Sequence, residues 1–180
     1  MASLLSAEVF DADETVRELL SQDPLVKTEV ATLFGEDILD KAGNPDRNQI
    51  RNRVFTNPEA LRKLEAILHP RVRKIWLELV RAHRSSHSSW LLLEIPLLYE
   101  TNADKEMDEV VVTCCSGTTQ LQRLMANRSL TESMAKRIIE SQDSQTSKIA
   151  RADRVLWNDS SQVVLGWQIE ALVASLAPID

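Results

Sequence analysis

Residues 90–100 read WLLLEIPLLYE, an apolar run interrupted by one carboxylate, Glu94, and closed by Pro96. A run of this length fits a buried strand or a piece of buried helix. Pro96 decides for the strand, because it lacks the N–H that a continuing helix requires and is tolerated where a strand runs out. A second apolar run, EVVVTCC at 109–115, is so rich in β-branched residues that it too reads as a strand. Neither run alternates polar with apolar, the habit of strands covered on both faces in a parallel sheet with helices on either side. The expected fold class is therefore α/β. Glu94 stands at the end of its strand, where open α/β sheets place their ligands. It is either a site residue, ordering magnesium-bound water, or a strand-end glutamate satisfied by a neighbouring helix N-terminus.

At 180 residues the chain can bury one good core, with room for an inserted subdomain. No stretch reaches the ~18 apolar residues of a membrane span, and MASLLSAEVF has neither the basic start nor the apolar core of a signal peptide. The two cysteines, Cys114 and Cys115, are strand neighbours facing opposite ways, which disfavours bonding to each other or sharing a metal. A reduced, cytoplasmic setting is the expectation. An excess of 27 acidic over 21 basic residues argues against a general nucleic-acid binder and leaves room for a local basic cluster around a small anionic ligand.

Working outward, Glu8 to Phe10 reads as a short strand ending in Asp11-Ala12-Asp13. Asp13 suits a helix N-cap ahead of Val16, Leu19 and Leu20, and two carboxylates at a strand-to-helix junction also suit a site. Residues 23–82 are helical throughout, punctuated by Asp23-Pro24, Gly35, Gly43-Asn44-Pro45 and Asn57-Pro58. Asp46 and Gln49 have capping spacing, and His69-Pro70 predicts a break with a new helix beyond. Such a block between two strands is a helical insertion. The arginines at 47, 51, 53 and 62 fit solvated helix faces more readily than ligand contacts, and His69 fits a capping or core role. Residues 116–142 predict a helix pair carrying Arg123, Arg128, Lys136 and Arg137, either part of a lid over a polyphosphate, taken as 117–147, or an amphipathic hairpin with a basic outer face. A strand at 154–157 and an amphipathic helix at 163–176 complete the chain.

In order along the chain come FDADETVRELL, FG at 34–35, G-x-x-D-R from Gly43 to Arg47, VF at 54–55, L-E-x-I-L-H-P from Leu64 to Pro70, and I-P-L-L-Y-E from Ile95 to Glu100. Q-x-x-R from Gln120 to Arg123 and Q-x5-K-x3-A-D-x4-N from Gln142 to Asn158 follow. Each motif alone is weak, but the ordered series resembles the dephospho-CoA kinase family from the first residues to about Asp159. The resemblance implies a three-layer P-loop kinase-like parallel sheet with a helical acceptor insertion and a helical lid. It also implies transfer of the ATP γ-phosphate to the ribose 3′-hydroxyl of dephospho-CoA, with ATP and Mg2+ as cofactors and small-molecule partners, and with neither nucleic acid nor membrane among the partners. By motif, Asp13 matches the aspartate that orients or deprotonates the attacking hydroxyl. Asp11, Arg47, His69, Pro70, Pro96, Leu97 and Leu98 match the acceptor side, Arg123 a lid arginine that compensates phosphate charge, and Asn158 the loop approaching adenine. Phosphoryl transfer needs such residues because it is mostly positioning and charge stabilisation.

Two departures stand out. The family's second lid arginine would fall at Asn127, and Arg128, one step later, is its candidate substitute on the ATP side. The 180 residues also contain no G-x-x-x-x-G-K-S/T, and Ala2-Ser3-Leu4-Leu5 matches the segment just past that loop. The sequence thus predicts a fold truncated at its N-terminus and a poor kinase as written, lacking the backbone nest, the lysine and the magnesium-bound hydroxyl. The alternative is an inactive paralogue that binds a CoA-type nucleotide. A nucleotide kinase with another acceptor fits the general plan but not the His-Pro and P-L-L-x-E segments.

Overall fold

A computed structural model describes residues 1–86, 90–128 and 130–176, and the side chains of all of these except 56, 127 and 128. The chain starts with a short helix, α1 (Ala2–Leu5), and reaches strand β1 (Glu8–Asp11) through Ser6, whose φ of 50° is left-handed. Helices α2 (Ala12–Gln22), α3 (Pro24–Phe34), α4 (Arg47–Thr56) and α5 (Pro58–Ser86) then precede strand β2 (Leu91–Glu94). β2 runs parallel to β1, with Glu8 opposite Leu91 and Asp11 opposite Glu94. It stops two residues short of Pro96, as the proline predicts. Beyond it lie a 3-10 turn (Ala103–Glu106), β3 (Val111–Cys114), α6 (Gly117–Arg128), α7 (Glu132–Glu140), α8 (Gln145–Arg151), β4 (Arg154–Trp157) and α9 (Gln162–Ser175). The fold is α/β with parallel strands, as the sequence predicts.

Two compact units divide the chain, one built mainly from residues 6–95 and the other from Pro96 onward together with Met1 and residues 3–5. In the first, three helix starts use the turn chemistry legible in the sequence. Asp23 accepts the Leu25 and Val26 amides (2.8 and 3.1 Å), Asp46 those of Asn48 and Gln49 (2.8 and 3.3 Å), and Asn57 those of Glu59 and Ala60 (3.0 and 3.1 Å). Gly35 ends α3 at φ 94°, backbone that a side chain would strain. So placed, α2 to α5 bury Leu20, Val26, Val30, Ile38, Ile50, Leu64 and Leu68 in one cluster. Each such side chain contributes about 1.5–3 kcal/mol by leaving water.

The break expected at His69-Pro70 does not occur, and α5 runs through Pro70 for 29 residues. The ring deprives the Ala66 carbonyl of its ordinary donor. Two features outweigh that loss. Leu64, Leu68, Val72, Trp76 and Val80 form one buried stripe across the proline, and the Arg71 guanidinium donates to the Ile67 carbonyl (2.6 Å) beside the ring while also pairing with Glu29 (2.7 Å).

Within the first unit β1 pairs with β2, and within the second β3 pairs with β4, both ladders parallel as expected. Cover on both faces is incomplete in each ladder. Val9 is 51% exposed and Trp157 45%, while Phe10, Cys114 and Leu156 are buried. The strand expected over 109–115 is trimmed to Val111–Cys114, and Asp153 accepts the Val110 amide (2.8 Å) at its start.

Candidate active site

The junction of β1 and α2 carries two carboxylates with different duties. Asp11, not Asp13, is the N-cap: its Oδ1 accepts the Glu14 amide (2.9 Å), and its own carbonyl accepts the Thr15 hydroxyl (2.8 Å). The capping role read for Asp13 is thereby corrected, because the helix starts two residues earlier than the sequence predicts. Asp13 is exposed in the first turn and makes no hydrogen bond or ion pair among the described residues. Glu94, in register with Asp11 at the strand ends, is exposed rather than buried, so burial does not by itself require a partner for it. Among the described residues, no group of three or more His, Cys, Asp or Glu residues forms a metal site.

Arg47 is the first residue of α4, exposed and without a partner among the described residues, directly after the capping Asp46. His69, half-buried, and Pro70, exposed, lie mid-way along α5, against which α4 packs. Arg53, read as a solvated cation, instead donates to the Phe34 carbonyl and pairs with Asp37, tying α4 to the end of α3.

In the second unit, Pro96, Leu97 and Leu98 form a turn in which the Leu97 carbonyl accepts both the Thr101 amide (3.1 Å) and hydroxyl (2.7 Å). Arg123 and Asn158 come together: Nη1 of Arg123 on α6 donates to the Asn158 carbonyl (2.7 Å), and the Asn158 amide donates to Cys114 at the end of β3 (2.7 Å). Arg128 ends α6, and its side chain lies outside the described residues.

Sequence reasoning missed what holds this pair. Asp159 accepts the Ser116 amide (2.8 Å) and hydroxyl (3.0 Å), while Ser116 also bonds the Thr119 hydroxyl (2.9 Å). Hydrogen bonds from Thr119, then from Ser116, hold the Asp159 carboxyl below the usual carboxylate range. The carboxylate thus sits at the N-terminus of α6, favourable for the helix dipole, and joins that helix to the loop after β4. The signal was the S-x-x-T spacing before α6, which fits a cap, but its partner is 43 residues away in sequence and no local pattern reveals it.

A family model described as Dephospho-CoA kinase matches residues 1–163. The chain is 34% identical to a dephospho-CoA kinase from Fusobacterium nucleatum over 154 residues, 86% of this chain and 78% of that one. It is 36% identical to one from Rhizobium meliloti over 172 residues, 96% of this chain and 87% of that one. Among solved structures, TT1252 from Thermus thermophilus superimposes with a TM-score of 0.72 at 28% identity, covering 98% of this chain and 90% of that one. The ordered motifs, the parallel strands and these likenesses agree: the chain belongs to the dephospho-CoA kinase family.

Proposed function

We propose that this chain supplies the acceptor, base and lid residues for ATP-dependent phosphorylation of the ribose 3′-hydroxyl of dephospho-CoA, giving coenzyme A. The observation that carries the proposal is the free Asp13 carboxylate. Asp11 meets the capping need of α2, so the exposed carboxylate of Asp13 is left for a substrate. In the reaction the 3′-oxygen attacks the γ-phosphorus, the bond to the β,γ-bridging oxygen breaks, ADP leaves, and the hydroxyl proton passes to Asp13. Arg47, His69, Pro70 and the turn Pro96–Leu98 hold the acceptor. Residues 23–82 form its insertion and 117–147 the lid. Arg123 places its charge on the transferring phosphate, with Arg128 as the second lid cation, and Asn158 approaches the adenine. The setting is a reducing cytoplasm, in keeping with two free thiols, and the partners are small molecules and neither nucleic acid nor membrane.

Magnesium fits the donor set at the strand ends, since it needs only one or two carboxylates beside waters and substrate phosphates. Glu94 would hold it through water, with Asp11 its register neighbour. When bound, the ion neutralises charge on the phosphates.

Calorimetry with dephospho-CoA on the 180-residue chain and on Arg47→Ala tests the acceptor assignment. We expect weak binding by the first and a marked loss by the second; equal heats, or binding by neither, would remove Arg47 from the site.

A further inference from the structure

The second unit contains a polar cluster that the reaction above does not use. Lys148 on α8 pairs with Glu100 (2.9 Å), with the two side chains only 16% and 18% exposed, and the same Glu100 oxygen accepts the Asp143 amide (2.9 Å). One turn further along α8, the Arg151 guanidinium lies over the Tyr99 ring (4.1 Å to its centroid), pairs with Asp104 (2.9 Å) and reaches Asp143 (3.3 Å). Two cations of one short helix therefore grip the segment 99–104, and both grips also catch Asp143, in the loop leading into that helix.

The gripped segment is continuous with the turn Pro96–Leu98. The Thr101 amide donates to Leu97, Asn102 to Tyr99 (3.1 Å each) and Ala103 to Leu98 (2.8 Å), so residues 97–103 form one hydrogen-bonded piece. Stability does not explain the cluster. A partly buried ion pair returns little net free energy over an apolar pair of the same shape. Moreover, the buried oxygens Tyr99 Oη, Glu100 Oε2 and Asp104 Oδ1 have no hydrogen-bond partner among the described residues, a desolvation cost that apolar side chains would avoid. What such a cluster provides that apolar packing does not is one fixed register between its two halves.

We infer that Lys148 and Glu100 are positioning residues that make the turn after β2 and the C-terminal root of the α6–α7 helix pair, residues 143–151, one mechanical piece. Occupancy of Pro96–Leu98 then sets where that root stands. The ligand part of this inference rests on the acceptor reading proposed above.

Hydrogen exchange on the full 180-residue chain tests it, with wild type, Lys148→Arg and the double variant Glu100→Gln/Lys148→Met, each with and without dephospho-CoA. In the double variant, the amides of Thr101, Asn102, Ala103 and Asp143 should together exchange about tenfold faster, the loss of roughly one hydrogen bond's worth of protection. The Val111–Cys114 ladder should be unchanged, and Lys148→Arg should restore wild-type rates. Dephospho-CoA should extend protection from 97–103 into 143–151 in wild type, and only over 97–103 in the double variant. Protection of 143–151 to the same degree in both, or no change at 101–103 when the pair is removed, would overturn the proposal. So would a double variant that fails to fold, because a positional role predicts a folded chain. If the ligand-free coupling holds and dephospho-CoA protects neither segment, the coupling stands and the acceptor reading falls.

Discussion

Replacing Asp11 and Asp13 one at a time separates a capping carboxylate from a chemical one, though the two are only two residues apart. Asp11 accepts the Glu14 amide at 2.9 Å, and losing a cap of this kind costs about 1 kcal/mol, within a range of roughly 0.5–2. For a chain of this length, 1 kcal/mol moves the melting temperature by about 2–4 °C, so Asp11→Ala should lower it by that amount. Asp11→Asn should cost only a few tenths of a kcal/mol, since asparagine caps about as well. Asp13 makes no bond to lose and contributes only through the helix dipole, about 0.3–1 kcal/mol at low salt. Asp13→Asn should therefore fall short of Asp11→Ala, and its effect should shrink as salt is raised. Turnover should follow the opposite order. In a polypeptide that carries a phosphate loop ahead of Met1, Asp13→Asn should slow phosphoryl transfer by about 10²–10⁴-fold, the usual loss for a general base. Thermal melts at two salt concentrations with a coupled ADP-release assay measure both. Turnover within a few-fold of wild type, or a melting shift for Asp13→Asn as large as that for Asp11→Ala, would refute the reasoning.

Arg123→Ala removes the donor to the Asn158 carbonyl and, on the proposed function, a charge from the phosphate; kcat/KM for ATP should fall by about 10- to 100-fold, as for a charged hydrogen bond, while dephospho-CoA affinity stays unchanged. Pro70→Ala returns an amide donor to the Ala66 carbonyl inside α5, so denaturant unfolding should show a more stable chain, while the acceptor's KM rises if Pro70 touches it. For Glu100, burial pushes the carboxyl up, but hydrogen bonds from Lys148 and from its own and the Asp143 amides outweigh this and hold it below the usual range. A depressed folded pKa stabilises above the unfolded value of about 4.3, and that stability is lost as pH falls through the folded value. Melts between neutral and strongly acid pH should show this loss in wild type and less of it in Glu100→Gln.

The parts of the fold carried by local chemistry were legible in the sequence. Pro96 ended its strand, and Asp23, Asp46, Asn57 and Gly35 set helix ends where their side chains or backbone predict them. The motif order along the chain identified the family. What was not legible depends on partners distant in sequence. Pro70 reads as a breaker until the stripe from Leu64 to Val80 and the Arg71 bond to Ile67 are known. Asp11 and Asp13 are equally good caps on paper, and the choice follows from where β1 stops. Strand cover was overestimated because an apolar run does not report which of its side chains other elements will cover, and Val9 and Trp157 stay exposed. Of the site, the pairing of Arg123 with Asn158 brought together two residues that the motifs had placed on the same nucleotide, whereas the Asp159 clamp and the Lys148–Glu100 pair needed coordinates.

Phosphoryl transfer to dephospho-CoA itself tests the central claim most directly. With γ-labelled ATP and dephospho-CoA, the position of the label is read by mass spectrometry for two polypeptides: these 180 residues alone, and the same residues preceded by a strand and a G-x-x-x-x-G-K-S/T loop of the family's type. The account predicts label on the ribose 3′-oxygen from the second and no measurable transfer from the first, because a missing phosphate-binding nest costs several orders of magnitude in rate. Normal turnover from the 180 residues alone, or no phosphorylation of dephospho-CoA by the loop-bearing polypeptide, would contradict it.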